Sequence, residues 1–256
     1  MEGKPPPVPG ETGAKQGGEV RARWAWTEPS VWTDRMLTAL ETGVKGGVWF
    51  SLMDKVWSRA NLESAFAKVR SNRGGAGVDR VTVAMFAARL EAELTRLQEQ
   101  LRTDAYAPQA VRRVWIPKGD GTMRPLGIPT VRDRVVQTAL RNVLEPVFER
   151  EFAVHSYGFR PGRSAKDALR RVDTLLRSGH RHVVDADIKA YFDSIPKEAL
   201  MARVRERVAD GRVLGLLEQY LSQPVMEPLK TWTPDAGTPQ GAVISPLLAN
   251  LYLNPL

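Results

Sequence analysis

Between Thr82 and Arg102 the apolar side chains Phe86, Leu90, Leu94, Leu97 and Leu101 recur at spacings of three and four, the repeat of one helix face. A helix written this way holds together only if that face is covered. The chain must therefore fold first of all as packed helices. Asn61 stands as the cap of LESAFAKVRSN. Thr130 and Asp133 form a capping pattern ahead of VRDRVVQTALRNVLEPVFEREF, where Pro146 predicts a kink or an end. Ser164 and Asp167 repeat that pattern before AKDALRRVDTLLRSG, with Gly179 as the stop. KEALMARVRERV, GRVLGLLEQYLSQ and a last segment opened by Ser245 (N-cap) and Pro246 (first helical position) complete the helices. Strands are few: VRRVWIPK alternates, GDGTMRP is its hairpin turn, and HVVDADI is a short β-branched run. The two kinds do not alternate strictly and no repeat is present, so the fold class is α+β.

Composition narrows the chemistry. In 256 residues there is no Cys, which excludes disulfides, thiolate zinc sites and Cys nucleophiles. The three His (His155, His180 and His182) have no metal-type spacing, and the latter two belong to a solvated turn. The net charge is +8, and Arg supplies 27 of the 37 cations, the side chain suited to bidentate phosphate contacts and base stacking. A polyanionic partner fits that balance. No apolar signal core opens the chain and no run approaches the ~20 residues of a membrane span. The expected setting is cytoplasmic and reduced, away from membranes.

Four regions are expected: a disordered basic, Pro/Gly-rich tail over 1–30, N-terminal extension helices over 31–75, then segments 76–180 and 181–256. Trp24, Trp26 and Trp32 interleave with Arg21, Arg23 and Arg35, a pattern compatible with single-stranded nucleic acid. Packing of an accessory helix onto the core is the stronger reading. NRGGAGVD is a Gly-rich loop without the Gly-Lys-Ser/Thr that a P-loop requires.

The most unusual stretch is VVDADIKAYFDSI, residues 183–195, which places Asp185, Asp187 and Asp193 in a strand and its exit turn. Carboxylates are poor strand formers and costly to bury unpaired. At a strand end they commonly present oxygens to Mg²⁺, which keeps waters and substrate phosphates in its shell. Two-metal phosphoryl transfer needs such ligands to hold ions ~3.5–4 Å apart. The bland alternative is a strand start, a helix cap and a salt bridge. IPKGDGTMRPLGIPTVRDRVVQ adds Lys118 and Arg124 on opposite sides of a turn, able to converge on one polyphosphate, and SYGFRPGRS adds Arg160 and Arg163.

The ordered series GVDRVTV, IPKGDGTMRPLGIPTVRDRVVQ, SYGFRPGRSAKDAL, DADIKAYFDSI and GTPQGAVISPLLANLYL resembles the group II intron-encoded reverse transcriptase/maturase family over roughly residues 30–256. The resemblance implies a right-hand polymerase, with fingers over 76–180 and a partial palm over 181–256. It implies that Asp187 is a catalytic metal ligand, with the Ile188 carbonyl as a second contact. Lys118 and Arg124 match residues that grip the incoming triphosphate, and Gln240 one that lies against the nascent base pair. Tyr191, where Phe is more usual, stands at the position that excludes a ribose 2′-OH, with Phe192 beneath it. Arg160 and Arg163 are expected on RNA, while Asp185 and Asp193 are left as structural.

The implied activity is RNA-directed DNA polymerisation linked to intron splicing and mobility. Its partners would be an intron RNA template, a DNA primer and dNTPs, and its cofactor Mg²⁺. The family's remaining catalytic acids lie in a Tyr-x-Asp-Asp hairpin, and these 256 residues contain no Asp-Asp pair. The two-metal site is therefore expected to be incomplete and the chain inactive alone. Three alternatives follow: a non-catalytic intron-RNA-binding fragment, one half of a split protein whose second polypeptide completes palm and thumb, or a broken reading frame.

Overall fold

A computed structural model describes residues 20–119 and 121–255. Its helices are α1 (Asp34–Thr42), α2 (Met53–Val56), α3 (Arg59–Ser71), α4 (Val83–Ala88), α5 (Leu90–Arg102), α6 (Val131–Glu149), α7 (Ala165–Arg177), α8 (Tyr191–Ser194), α9 (Lys197–Arg205), α10 (Gly211–Leu221) and α11 (Ser245–Leu253). Strands β1 (Val111–Pro117), β2 (Met123–Ile128), β3 (Val225–Glu227) and β4 (Lys230–Trp232) form one sheet in the order β2-β1-β3-β4. β1 pairs antiparallel with β2 and parallel with β3, and β3 pairs antiparallel with β4. The class is α+β and helix-rich, as expected. The β3–β4 hairpin was not read from the sequence: three-residue strands are too short to show an alternation. No described helix is long and apolar enough to cross a membrane.

Helix α6 is the axis of the core. Of its 19 residues, 16 are buried, and it packs against α2, α3, α5 and α11. Pro146 neither ends nor breaks it. A proline at 146 removes the N–H that would bond the carbonyl of Asn142, four residues back. The Trp32 indole N–H takes that place, 2.9 Å from the Asn142 oxygen. Trp32 is wholly buried and Trp24 nearly so, which settles the Trp cluster as packing. The disordered tail expected over 1–30 does not hold for residues 20–30: residues 20–23 are helical and Trp24 bonds Glu41, whereas residues 1–19 lie outside the described part.

Four local expectations are corrected. The single helix from Thr82 breaks at Arg89, so that α4 stacks Phe86 on Phe66 while α5 turns Leu94, Leu97 and Leu101 inward. Helix α3 is capped by Ser58, and Asn61 is instead a buried bridge, donating to the carbonyls of Lys55 and Ala139. Ser245 is the first residue of α11 and donates to the Pro239 carbonyl; Ile244 occupies the cap. HVVDADI is not a strand: residues 181–188 carry no pairing, and Val183 and Val184 are 78% and 93% exposed. β-branched residues favour a strand only where a neighbour supplies the other half of the ladder and a face to pack on.

Candidate functional site

The stretch from Tyr191 to Ser194 folds into the short helix α8, reached through Ala190 in the left-handed conformation (φ 51°, ψ 37°). That conformation costs a non-glycine residue roughly 1–2 kcal/mol. Such outliers concentrate at functional sites. The Tyr191 hydroxyl donates to the Ala249 carbonyl on α11 at 2.7 Å, which fixes the ring's direction. Burial, reinforced by Tyr252, pushes this phenol up to about 12. Phe192 meets Tyr191 edge-on at 5.9 Å and Phe159 edge-on at 6.5 Å.

The GTPQG loop closes over this pair. Thr238 N–H donates to the Phe192 carbonyl (2.7 Å) and Gly237 N–H to that of Ile195 (2.8 Å). Gly237 has φ +88°, and a Cβ there would lie 2.6 Å from the Phe192 oxygen, so only glycine lets the loop approach this closely. The Gln240 carboxamide donates to the Asp193 carboxylate at 3.2 Å, and the Gln240 main-chain carbonyl accepts from Gly127 N–H at 2.6 Å. Val243 N–H donates to Gln137 on α6 at 2.7 Å. The loop thus joins α8, strand β2 and the central helix in one rigid unit. Tyr191, Phe192 and Gln240, expected together, are together.

Lys118 and Arg124 share a face of the β1–β2 hairpin. Arg124 pairs with Ile116, and Lys118 N–H bonds the Thr122 carbonyl two residues further along the same ladder. Side chains two apart on a strand point the same way, so both exposed cations project from one surface. From Gly127, which is bonded to Gln240, Arg124 lies roughly 10 Å up the strand.

The acidic part of the site is different. Asp185 and Asp187 are exposed on the unpaired segment, and among the described residues no three His, Asp or Glu side chains converge to hold a metal. Asp187 and the Ile188 carbonyl would supply two oxygens where Mg²⁺ takes about six, the remainder commonly waters and further carboxylates. The residues present fit part of a metal site and do not make one.

Arg160 is a correction. Its guanidinium bonds Glu149 (2.7 Å) and the carbonyls of Ala153 (2.6 Å) and Ser156 (2.9 Å), lies 5.3 Å from the Phe152 ring, and is 7% exposed. It organises the loop between α6 and α7 and has no free face for RNA. Arg163 bonds the carbonyls of Val154 and Ser156 and stacks over Tyr157, so it too serves that loop first.

Two residues gain roles the sequence reading did not give them. Asp193, read as merely structural, holds the Gln240 carboxamide. Phe159, 71% exposed and left-handed (φ 55°), completes the aromatic group beside Phe192. Its place within SYGFRPGRS, between glycine and arginine, was the available signal.

Against known proteins, the profile described as Reverse transcriptase (RNA-dependent DNA polymerase) matches residues 116–256. Over 239 residues the chain is 38% identical to Protein YkfC of Escherichia coli (strain K12), covering 91% of this chain and 58% of that protein. It is 36% identical over 195 residues to the group II intron-encoded protein LtrA of Lactococcus lactis subsp. cremoris, covering 75% of this chain and 32% of LtrA. A partial Cas6-RT-Cas1–Cas2 complex superposes with a TM-score of 0.49 at 22% identity, covering 80% of this chain and 34% of that one. The chain thus spans little more than half of one curated relative and a third of the other.

Proposed function

We propose, since the chain belongs to the reverse transcriptase family and within it to the group II intron-encoded reverse transcriptase/maturase branch, that its folded unit holds the incoming deoxynucleotide for RNA-directed DNA synthesis tied to intron splicing and mobility. The observation that carries this reading is the joining of Tyr191, Phe192 and Gln240 by the GTPQG loop, itself bonded to the strand that bears Arg124. Lys118 and Arg124 grip the triphosphate, positioning it and offsetting its charge. The Tyr191 ring stands against the sugar, where a 2′-hydroxyl would clash. Because its own hydroxyl is tied to Ala249, the ring cannot swing aside. Gln240 lies against the new base pair, steadied by Asp193.

Asp187 supplies the first acidic ligand to Mg²⁺, which would polarise the reacting phosphate when bound. The other acidic ligands come from the portion of the relatives that these residues do not span, or from a second polypeptide. Without them the metal spacing is not fixed and the 256 residues alone do not polymerise.

Primer extension on an RNA template tests this. Background synthesis is expected from the chain alone. Synthesis is expected once a palm segment carrying Tyr-x-Asp-Asp from an intron-encoded relative is joined to it. In that joined protein Asp187→Ala abolishes synthesis and Tyr191→Ala raises ribonucleotide use. Extension that persists after Asp187→Ala overturns the assignment. A second reading, RNA binding without polymerisation, is favoured by the Arg-rich balance of charge. It predicts binding that weakens steeply with salt and no synthesis in either form.

A further inference from the structure

The four-stranded sheet has a second face that the nucleotide site does not use. The pairings Trp115↔Pro125, Val111↔Val225, Val225↔Trp232 and Glu227↔Lys230 place Arg113, Trp115, Glu227, Lys230 and Trp232 on the side opposite Lys118 and Arg124. The Arg113 guanidinium reaches across β3, a span of roughly 10 Å, to lie 5.1 Å from the Trp232 ring centroid. Lys230 Nζ lies 4.9 Å from the same ring. Trp115 is 51% exposed and Met123, across the hairpin from Pro117, is 50% exposed.

A large aromatic ring left open on a sheet face is unusual, because it forfeits burial and invites association. What surrounds it indicates the kind of partner. A protein interface core is enriched in Trp, Met and Arg but depleted in Lys, and this chain carries a net charge of +8. Here two indole rings stand with Arg113 and with Lys230, the latter opposite Glu227, and both cations are drawn to the Trp232 ring rather than to the acid. That combination serves an unpaired nucleic-acid strand, whose bases stack on aromatic faces while its phosphates meet the cations.

We propose that this outer face of the sheet binds single-stranded RNA, with a base stacked on Trp115 and the backbone carried by Arg113 and Lys230. The surface lies across the thickness of the sheet from Lys118 and Arg124, so it holds a strand away from these two cations. The proposal rests on reading the chain as an RNA-handling protein, and not on nucleotide addition.

The test uses the 256-residue chain and a fluorescein-labelled, unstructured 12-nucleotide RNA, followed by anisotropy and by quenching of tryptophan emission. Trp115→Ala is expected to weaken binding about tenfold, as the loss of one stacked base implies, and to remove the quenching; Trp115→Phe is expected to restore most of the affinity. The double variant Arg113→Ala/Lys230→Ala is expected to flatten the salt dependence, while Lys118→Ala/Arg124→Ala leaves the quenching intact. A duplex RNA of equal length, its bases stacked inside, is expected to show no dependence on Trp115. If RNA binds but Trp115→Ala changes neither affinity nor quenching, this surface is wrong while the RNA reading stands. Concentration-dependent self-association lost on Trp115→Ala, with RNA binding unchanged, would make the face a contact between copies and overturn the proposal. Absence of any RNA binding overturns both.

Discussion

Helix α6 buries 16 of its 19 residues; α7, 13 residues long and opened by the same kind of capping signal, buries none. Thr130 caps the first by accepting from Asp133 N–H, and Ser164 caps the second through a reciprocal box with Asp167. Leu169, Val172 and Leu176 of α7 follow the spacing of a buried stripe, yet they are 68%, 50% and 52% exposed. Residues 181–188, which follow α7, leave Val183, Val184 and Ile188 exposed as well. A cap fixes where a helix begins from local chemistry alone. Whether its apolar face is covered depends on residues distant in the chain. The molecule is thus divided: a packed body around α6 and α11 that carries Tyr191, Phe192 and Gln240, and an uncovered arm that carries Asp187.

The sharpest way to break this division is at Arg160, which fastens the loop between the two helices to the end of α6. Arg160→Ala leaves the Glu149 carboxylate, 13% exposed, without its partner. The expected cost is about 3–5 kcal/mol in urea unfolding. Arg163→Ala, in a more open place, is expected to cost less than about 1 kcal/mol. The two helices can then be compared directly. Leu140→Ala in α6, where the side chain is wholly buried, is expected to cost about 2–5 kcal/mol. Leu176→Ala in α7 is expected to stay within about 0.5 kcal/mol. Equal costs would mean that α7 is covered. Trp32→Phe keeps an aromatic ring, smaller than the indole, and removes the N–H that satisfies the Asn142 carbonyl beside Pro146; the unsatisfied carbonyl costs about 1–3 kcal/mol, and the volume lost at this wholly buried position adds to it.

The aspartates three residues after the two caps sharpen the comparison: the Asp167 carboxylate bonds back to Ser164, whereas that of Asp133 turns to Tyr106 and Gln109. Burial raises Asp133, outweighing its hydrogen bonds from Tyr106 and Gln109, whereas the Ser164 hydroxyl, then the backbone and Arg170, lower Asp167. A raised carboxyl contributes stability that is present below its unfolded pKa and lost as pH rises through the folded value. A lowered one contributes stability that is present above its unfolded pKa and lost as pH falls through the folded value. The stability difference between wild type and Asp133→Asn is therefore expected to be largest in acid and to shrink as pH rises through the raised value. The difference for Asp167→Asn runs the opposite way and is read as fraying of α7 in acid. Denaturant titrations at several pH values, with residue-resolved helicity for α7, check both signs.

What the sequence disclosed follows the same division. The capping patterns at Thr130 and Ser164, the β1–β2 hairpin and the buried stripe of α5 were legible because each is written within a few residues. The break at Arg89, the bridging of Asn61 and the survival of helix past Pro146 were not, since each is decided by a distant partner: Phe66, Ala139 and Trp32 respectively. At the candidate site, Tyr191, Phe192 and Gln240 were singled out by resemblance, and the loop bearing Gln240 bonds the helix bearing the other two, which shows their proximity and not their roles. Arg160 was misassigned because an arginine written beside Gly and Pro looks exposed, and its buried partner Glu149 lies in another element. The HVVDADI segment has the composition of a strand, but a ladder cannot be read from one of its two sides.

Amide hydrogen exchange of the 256-residue chain, resolved by peptide, tests the central claim that the half of the site proposed to hold the nucleotide is formed while the segment bearing Asp187 is not. Peptides from α6, α11 and the GTPQG loop are expected to be protected, those of α6 to the level of global unfolding, whereas peptides over 181–190 exchange within seconds. Protection of 181–190 equal to that of α6 in the monomeric chain would contradict the account.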